Sequence, residues 1–298
     1  MRTIAGAAFD RVRPAGTRPM ALLQRGLVYL GAAFAALVLV GIVGYICVMG
    51  IPELKPSLFE LEYNSNNVSL MPALVNTLLM ALLALLIAVP VGVGSAIYLV
   101  EYAPRASRFV KLVRITAETL QGIPSIIYGL FGALFFVGVC KMGLSLLSGA
   151  CTLAIMVLPV IMRTTEEALL AVPDAYRQGG YGLGAGRVRT VFRCVLPSAM
   201  PGILGGVILA LGRCVGEVAA LIFTAGSIAA IPNFVAEGPA AVLDSARTLA
   251  VHMYVLSSEG LHIGETYATA VVLLVLVLLI NLATTATARR MNKGVQSD

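Results

Sequence analysis

Residues 70 to 100 contain no charged side chain. A spanning helix needs about 20 consecutive apolar residues, so this run alone is long enough to cross a bilayer. Similar charge-free runs occupy 27 to 51, 119 to 140, 142 to 162 and 266 to 288. A sixth, 194 to 236, is interrupted only by Arg213 and Glu217. In hydrocarbon every backbone N–H and C=O must find a partner within the protein, which leaves helices or closed barrels. Barrel strands alternate apolar and polar positions over about ten residues, whereas these runs are apolar throughout. The sequence therefore predicts an all-α polytopic membrane protein with about six transmembrane helices. Composition agrees: 12% of the residues are charged, against roughly 25% in soluble domains.

The expected organisation is a tail over 1–25, a first transmembrane helix over 26–51, a membrane domain over 70–288 and a second tail over 289–298. The basic stretch before the first helix is not followed by a small-residue cleavage site, so that helix is expected to be a retained anchor. Lysine and arginine in the loops set the orientation. Arg2, Arg11, Arg13, Arg18 and Arg25 precede the first helix, and Lys55 alone follows it. Arg105, Arg108, Lys111 and Arg114 fill the next loop, and then Lys141 stands alone. Arg163, Arg177, Arg187, Arg189 and Arg193 come next, then Arg247, and finally Arg289, Arg290 and Lys293. The alternation places both termini of this multi-pass protein in the cytoplasm.

The net charge of +6 follows from this bias. No basic cluster is interleaved with aromatic residues as a stacking platform, so nucleic acid is not an expected partner; the lipid bilayer is. The glycine-rich GGYGLGAG at 179–186 follows no strand. Arg187 stands where the last glycine of G-x-G-x-x-G belongs, and no P-loop Gly-Lys pair occurs in the chain. No nucleotide site, catalytic constellation or metal site is expected. His252 and His262 lie ten apart without zinc-protease spacing and read as loop histidines. Cys47, Cys140, Cys151, Cys194 and Cys214 have no paired spacing and read as small membrane-core residues.

The segment 163–203 has more order than a connector needs. Asp174 follows Pro173 at a plausible helix start, where a carboxylate suits free N–H groups and the helix dipole. Ala175, Tyr176 and Leu183 ride on a short helix that Gly184 can end in the left-handed conformation. Pro197 and Pro201 bracket the entry to the following helix.

This loop resembles the coupling loop of ABC importer permeases, whose pattern is Glu-Ala-Ala, three residues, Gly, nine residues, Ile, one residue, Leu-Pro. Gln178, Gly179 and Gly180 fall on the Glu-Ala-Ala positions, Gly184 on the glycine, Cys194 on the isoleucine, and Leu196 with Pro197 on Leu-Pro. NTLLMALLALLIAVPVGVGSAIYLVEYA at 76–103, ETLQGIPSIIYGLFG at 118–132 and LGRCVGEVAALIFTAG at 211–226 are similar to the same group, and LPVIMRTTEEALLAVP at 158–173 resembles PstA-type subunits of bacterial phosphate importers.

The resemblance implies a type I ABC importer permease fold over 70–288 with its coupling loop at 163–198. It implies a non-enzymatic chain that binds no cofactor, with ATP and Mg handled by two separate ATPase subunits. A second permease, giving a heterodimer, and an extracytoplasmic phosphate-binding protein complete the implied assembly, which works by alternating access. The coupling contact would fall on Pro173, Asp174, Tyr176, Arg177, Gln178, Gly179, Gly180, Leu183, Gly184 and Ala185. The loops 52–69 and 231–265 would meet the binding protein. A permease for another oxyanion, such as molybdate or sulfate, and a scaffold or signalling subunit are the alternatives. Gln178-Gly179-Gly180 departs from the family pattern, and each glycine costs about 1 kcal/mol against alanine in a helix, so the coupling helix is expected to be weak when unbound.

Arg213 and Glu217 remain. A charge at mid-bilayer costs about 2.5–3.5 kcal/mol, so these two, an i, i+4 pair on one helix, are expected to pair. One reading is a structural ion pair. The other is a substrate pathway in which arginine offers an oxyanion its planar fork of donors and Glu217 moderates the grip. Asn76, Thr77, Ser125, Tyr128 and Thr224 are either further pathway hydrogen-bonding groups or links to neighbouring helices.

Overall fold

A computed structural model describes residues 19–104 and 107–295, and the remaining tail positions, Arg2, Arg11, Arg13 and Arg18 among them, lie outside the described residues, as does Arg105. The chain divides between Val48 and Met49. The first unit is dominated by α1 (Pro19–Gly50), which carries apolar residues around its whole circumference, as a helix surrounded by lipid does. It starts seven residues before the expected boundary at 26.

The second unit is helical throughout the described residues. Its elements are α2 (Met71–Ile97), α3 (Arg108–Gln121), α4 (Ser125–Gly132), α5 (Leu146–Leu170), α6 (Asp174–Gly182), α7 (Arg187–Thr190), α8 (Leu196–Val215), α9 (Ala219–Ile222), α10 (Phe234–Glu237), α11 (Leu249–Glu259) and α12 (Ile263–Val295). The last helix thus runs into the stretch expected as a tail. π-Helical turns extend α2 through Tyr98–Tyr102 and α4 through Ala133–Val139, and another, Val191–Val195, joins α7 to α8.

Among the described residues five helices are long and apolar enough to cross a membrane, and the bent pair of α3 and the α4 segment adds a sixth candidate crossing. Those two meet at 102°, at Pro124, which takes the extended backbone expected of a residue capping a helix start. The charge count had made 101–118 a loop; most of it is the amphipathic helix α3. The run 194–236 also breaks: α8 ends at Val215 and short turns follow.

The centre of the unit is α2 packed along α5, with α8 against both and α12 against α8. The contact surfaces are small: Ala81, Ala84 and Ala88 of α2 meet Ala150, Leu153, Ala154 and Val157 of α5, all fully or nearly fully buried. Lipid tails are as apolar as the side chains, so helices in a membrane associate through close packing, which small residues permit. A Cβ on Gly129 would lie 2.8 Å from the Cα of Ala220, so only glycine lets α4 touch the turn that carries Glu217. Pro90 and Pro159 sit inside α2 and α5.

Opposite the coupling segment, the chain between α9 and α12 folds over the start of α2. Asn76 Nδ2 donates to the carbonyls of Ala230 (2.9 Å) and Arg247 (3.3 Å), and Thr77 Oγ1 accepts from Leu249 N at 2.8 Å. Arg247 donates to Ser227 O at 2.7 Å, approaches His252 Nδ1 at 3.3 Å and lies 5.5 Å from the centre of the Tyr63 ring. His252 is on α11 and fully buried, not a loop residue. Burial, and then the adjacent Arg247 charge, push its pKa down to about 4, which keeps the ring neutral at ordinary pH.

Candidate functional site

Two regions hold the residues singled out in the sequence. In the first, α5 ends at Leu170, Pro173 turns the chain, and α6 starts at Asp174. Gly184 takes a φ of +77°, so the helix start and the left-handed stop both stand where the residue types place them. Leu183 N donates to Gly179 O at 3.1 Å, Gly184 N to Tyr181 O at 2.9 Å and Ala185 N to Gly180 O at 3.0 Å, closing the helix end. Tyr176, Gln178 and Leu183 point outward, Leu183 with 91% of its surface exposed. The exposed side of this short turn thus carries two large apolar groups, Tyr176 and Leu183, beside the polar Gln178.

Its inner side is held by Arg177. The guanidinium donates to Glu101 Oε1 through Nη2 (2.7 Å) and Nε (3.1 Å), to the carbonyls of Leu169 and Val172 (both 2.9 Å), and to Asp174 Oδ1 at 3.2 Å. One side chain therefore ties α6 to the end of α2 and caps the last carbonyls of α5, which have no helical partners of their own. The Glu101 side chain is 4% exposed and that of Arg177 15%. The hydrogen bonds that Arg177 donates to Glu101, and then the carboxylate's charge, raise the Arg177 pKa above its ordinary value against the cost of burial. A cavity of about 460 Å³ opens beside the pair, lined among others by Arg114, Tyr181 and Arg187; the Arg187 guanidinium lies 5.3 Å from the centre of the Tyr102 ring.

Glu101 was missed in the sequence. Its signal was its position: it is the first charge after the run 70–100, and a lone carboxylate at the end of a spanning helix needs a cation. Two further links escaped notice. Arg114 of α3 pairs with Glu166 of α5, and Arg163 of α5 binds Glu118 of α3 and Glu167, both at 3.1 Å.

The adjacent glycines Gly179 and Gly180 of α6 are not equivalent. A Cβ on Gly179 meets nothing within 4 Å, whereas one on Gly180 would lie 2.7 Å from Thr190 Cγ2 and 2.8 Å from its Oγ1. We expect Gly179→Ala to stabilise α6 by up to about 1 kcal/mol. Gly180→Ala is expected to cost about 1–3 kcal/mol through overpacking, and Thr190→Ala to restore it. Thermal unfolding of the four proteins measures both effects, and equal behaviour of the two glycine variants is the contrary result.

The second region is the intramembrane pair. Arg213 is in the last turn of α8, on the wall of a cavity of about 530 Å³ formed with Gly205 and Leu209 of the same helix, Val160 of α5, and Val277 and Asn281 of α12. The expected ion pair with Glu217 is not formed. α8 stops at Val215, Gly216 caps it, and Glu217 leaves the helical track. Its Oε1 instead accepts from Ala220 N at 3.2 Å, at the start of the short turn α9. Among the described residues Arg213 makes no hydrogen bond or ion pair.

Of the other polar candidates, Asn76 and Thr77 serve the folded-over segment. Tyr128 donates to Leu120 O at 2.8 Å and Thr224 to Ala220 O at 2.9 Å. These four hold helices and turns together.

The sequence pattern of the binding-protein-dependent transport system inner membrane component matches residues 88–293. A probable ABC transporter permease protein, YqgI of Bacillus subtilis (strain 168), is 35% identical over 273 residues, 88% of this chain and 92% of that protein. The phosphate transport system permease protein PstA 1 of Mycobacterium tuberculosis (strain CDC 1551 / Oshkosh) is 35% identical over 211 residues, 71% of this chain and 67% of that one. In the fold, a chain of a bacterial alginate ABC transporter, in complex with an alginate pentasaccharide-bound periplasmic protein, superposes with a TM-score of 0.64 over 91% of this chain and 97% of its own, at 16% identity. The sequence match covers α5, the α6 turn, α8 and α12 together, and the chain belongs to the inner membrane components of binding-protein-dependent transport systems, as a permease subunit of the PstA type.

Proposed function

We propose that this permease subunit carries phosphate through an ATP-driven importer, with Arg213 as the fixed charge that phosphate meets inside the membrane. The observation that carries the reading is the arginine itself: it sits on a spanning helix, faces an open cavity and makes no ion pair among the described residues. An uncompensated cation in hydrocarbon costs about 2.5–3.5 kcal/mol, a cost that a passing oxyanion offsets while it is bound. The likeness to phosphate permeases points to the same solute.

In this reading the chain pairs with a second permease and binds no cofactor itself; ATP and Mg belong to two ATPase subunits. Residues 173–185 seat in the ATPase, with Tyr176, Gln178 and Leu183 as the inserted surface and Arg177 as the strut that passes movement to α2 and α5. Both termini are cytoplasmic. The loops 52–69 and 231–265, on the opposite side, receive an extracytoplasmic phosphate-binding protein, and the helices alternate between outward and inward access. Glu217, bound to Ala220 N, holds the turn next to the pathway.

Proteoliposomes containing the assembled complex test the reading. Uptake of labelled phosphate is expected to be competed by unlabelled phosphate and not by molybdate or sulfate. Competition by either of those anions marks a different oxyanion permease, and uptake that persists without this subunit marks a scaffold.

A further inference from the structure

The amphipathic helix α3 is bound to its own unit along one side only. Val110 and Ala117 are buried against Ala96, Leu99 and Met162, and Gln121 donates to Pro159 O at 3.1 Å. On the far side Phe109, Leu112 and Ile115 follow one another at helical spacing, with 61%, 61% and 50% of their surfaces exposed. Thr116 and Thr119 share that side, with Arg108 at its first turn. The two hydroxyls donate back to Leu112 O (2.9 Å) and Ile115 O (2.8 Å), so neither threonine leaves a donor free. The cations of α3 divide into two sets. Arg114 is paired with Glu166, while Arg108 and Lys111, exposed at the first turns, have no ion pair among the described residues.

The bend decides where such a helix lies. Ser125–Val139 carries no charge and suits hydrocarbon. α3 carries Arg108, Lys111, Arg114 and Glu118 and does not. With the charge-free α4 segment as the crossing part of this pair, the 102° bend lays α3 along the membrane surface. A helix with an exposed apolar stripe flanked by lysine and arginine lies in the interface with that stripe among the acyl chains. Long basic side chains then reach the headgroups.

We propose that α3 is an in-plane helix that binds anionic phospholipid, with Phe109, Leu112 and Ile115 set into the cytoplasmic leaflet and Arg108 and Lys111 on the headgroup phosphates. Because Arg114–Glu166 and Glu118–Arg163 fasten α3 to the end of α5 just before the α6 turn, the lipid steadies the helix from which the coupling segment hangs. The inference rests on the membrane embedding of the family and the proposed orientation, not on the identity of the solute.

The chain contains no tryptophan, so Phe109→Trp places a single fluorophore on the stripe, and Leu112→Trp repeats the measurement if the first variant folds poorly. The full chain in vesicles of phosphatidylcholine and phosphatidylglycerol is expected to be quenched more by bromines near the headgroup than by bromines near the acyl end. It should be quenched more by brominated phosphatidylglycerol than by brominated phosphatidylcholine. In the Arg108→Gln and Lys111→Gln backgrounds the preference for phosphatidylglycerol should fall about fivefold per residue, with shallow quenching retained. Deep quenching, no quenching, or equal quenching by the two lipids would overturn the proposal. So would quenching that disappears when the partner subunits are added, since a protein then covers this face. None of these readouts depends on transport, so failure here is separable from failure of the phosphate reading.

Discussion

Replacing Arg213 by glutamine is expected to leave the complex assembled and to lower phosphate uptake by about 10- to 100-fold, the loss that follows when one charged hydrogen-bonding partner worth about 1.5–3 kcal/mol is removed. The side chain has no structural bond to lose among the described residues, so the folded chain should tolerate the neutral amide. It should insert more easily, because the membrane no longer holds a buried charge. Lysine at the same place keeps the charge and loses the planar fork that matches two oxyanion oxygens, so Arg213→Lys should fall between wild type and glutamine. Co-purification of the partner subunits and uptake by proteoliposomes are the paired measurements. A variant that no longer assembles would return Arg213 to a purely structural role. Glu217→Gln should behave differently, with a smaller effect, since the amide oxygen can still accept from Ala220 N.

The second large effect is expected at Glu101 and Arg177. Removing one partner of a buried, hydrogen-bonded pair leaves the other charge uncompensated and costs about 3–5 kcal/mol. Glu101→Ala strands the guanidinium next to the Leu169 and Val172 carbonyls. Arg177→Ala strands the carboxylate and also uncaps the end of α5. Both should lower the unfolding temperature, and ATP hydrolysis by the assembled complex should lose its dependence on transport, because α6 is no longer tied to α2. Glu101→Gln combined with Arg177→Met should be less damaging than either alanine variant, as residues in one network are not additive. Additive losses in that double variant would mean that the two side chains act independently.

These two sites differ in how much of them the sequence exposed. Asp174 after Pro173 and the glycine at 184 are local signals, so the α6 turn could be drawn before any tertiary contact was known. Arg213 could also be found, because a charge inside an apolar run is visible without a partner. Its relation to Glu217 could not. The i, i+4 spacing assumes one continuous helix, and the helix stops at Val215 with Gly216 as its cap. Glycines at 212 and 216 could equally have been packing sites within a longer helix, and the choice was made by the close approach of α4 to α9 across Gly129.

Glu101 and Arg177 are 76 residues apart, and no periodicity joins them. α3 was hidden for a different reason: counting its lysine and arginine residues treats the segment as a loop on one side of the membrane, and passes over the helical stripe made by Phe109, Leu112 and Ile115. Gly179 and Gly180 have the same intrinsic cost, and only the presence of Thr190 beside one of them distinguishes the two.

The sequence by itself therefore determined the solvent and the class of fold: charge-free runs demand lipid, and in lipid the backbone must satisfy itself as helices. It also determined the start and stop of α6, which depend on proline, a carboxylate and a left-handed glycine within one short stretch. The tertiary structure decided which charges meet. Arg177 is neutralised by Glu101 because the ends of α2 and α5 converge on α6, and Arg213 forms no ion pair with Glu217 because its helix ends two residues short of that carboxylate. Partner choice is a property of distance in space, and in a bundle that distance is set by how closely small side chains let the helices pack.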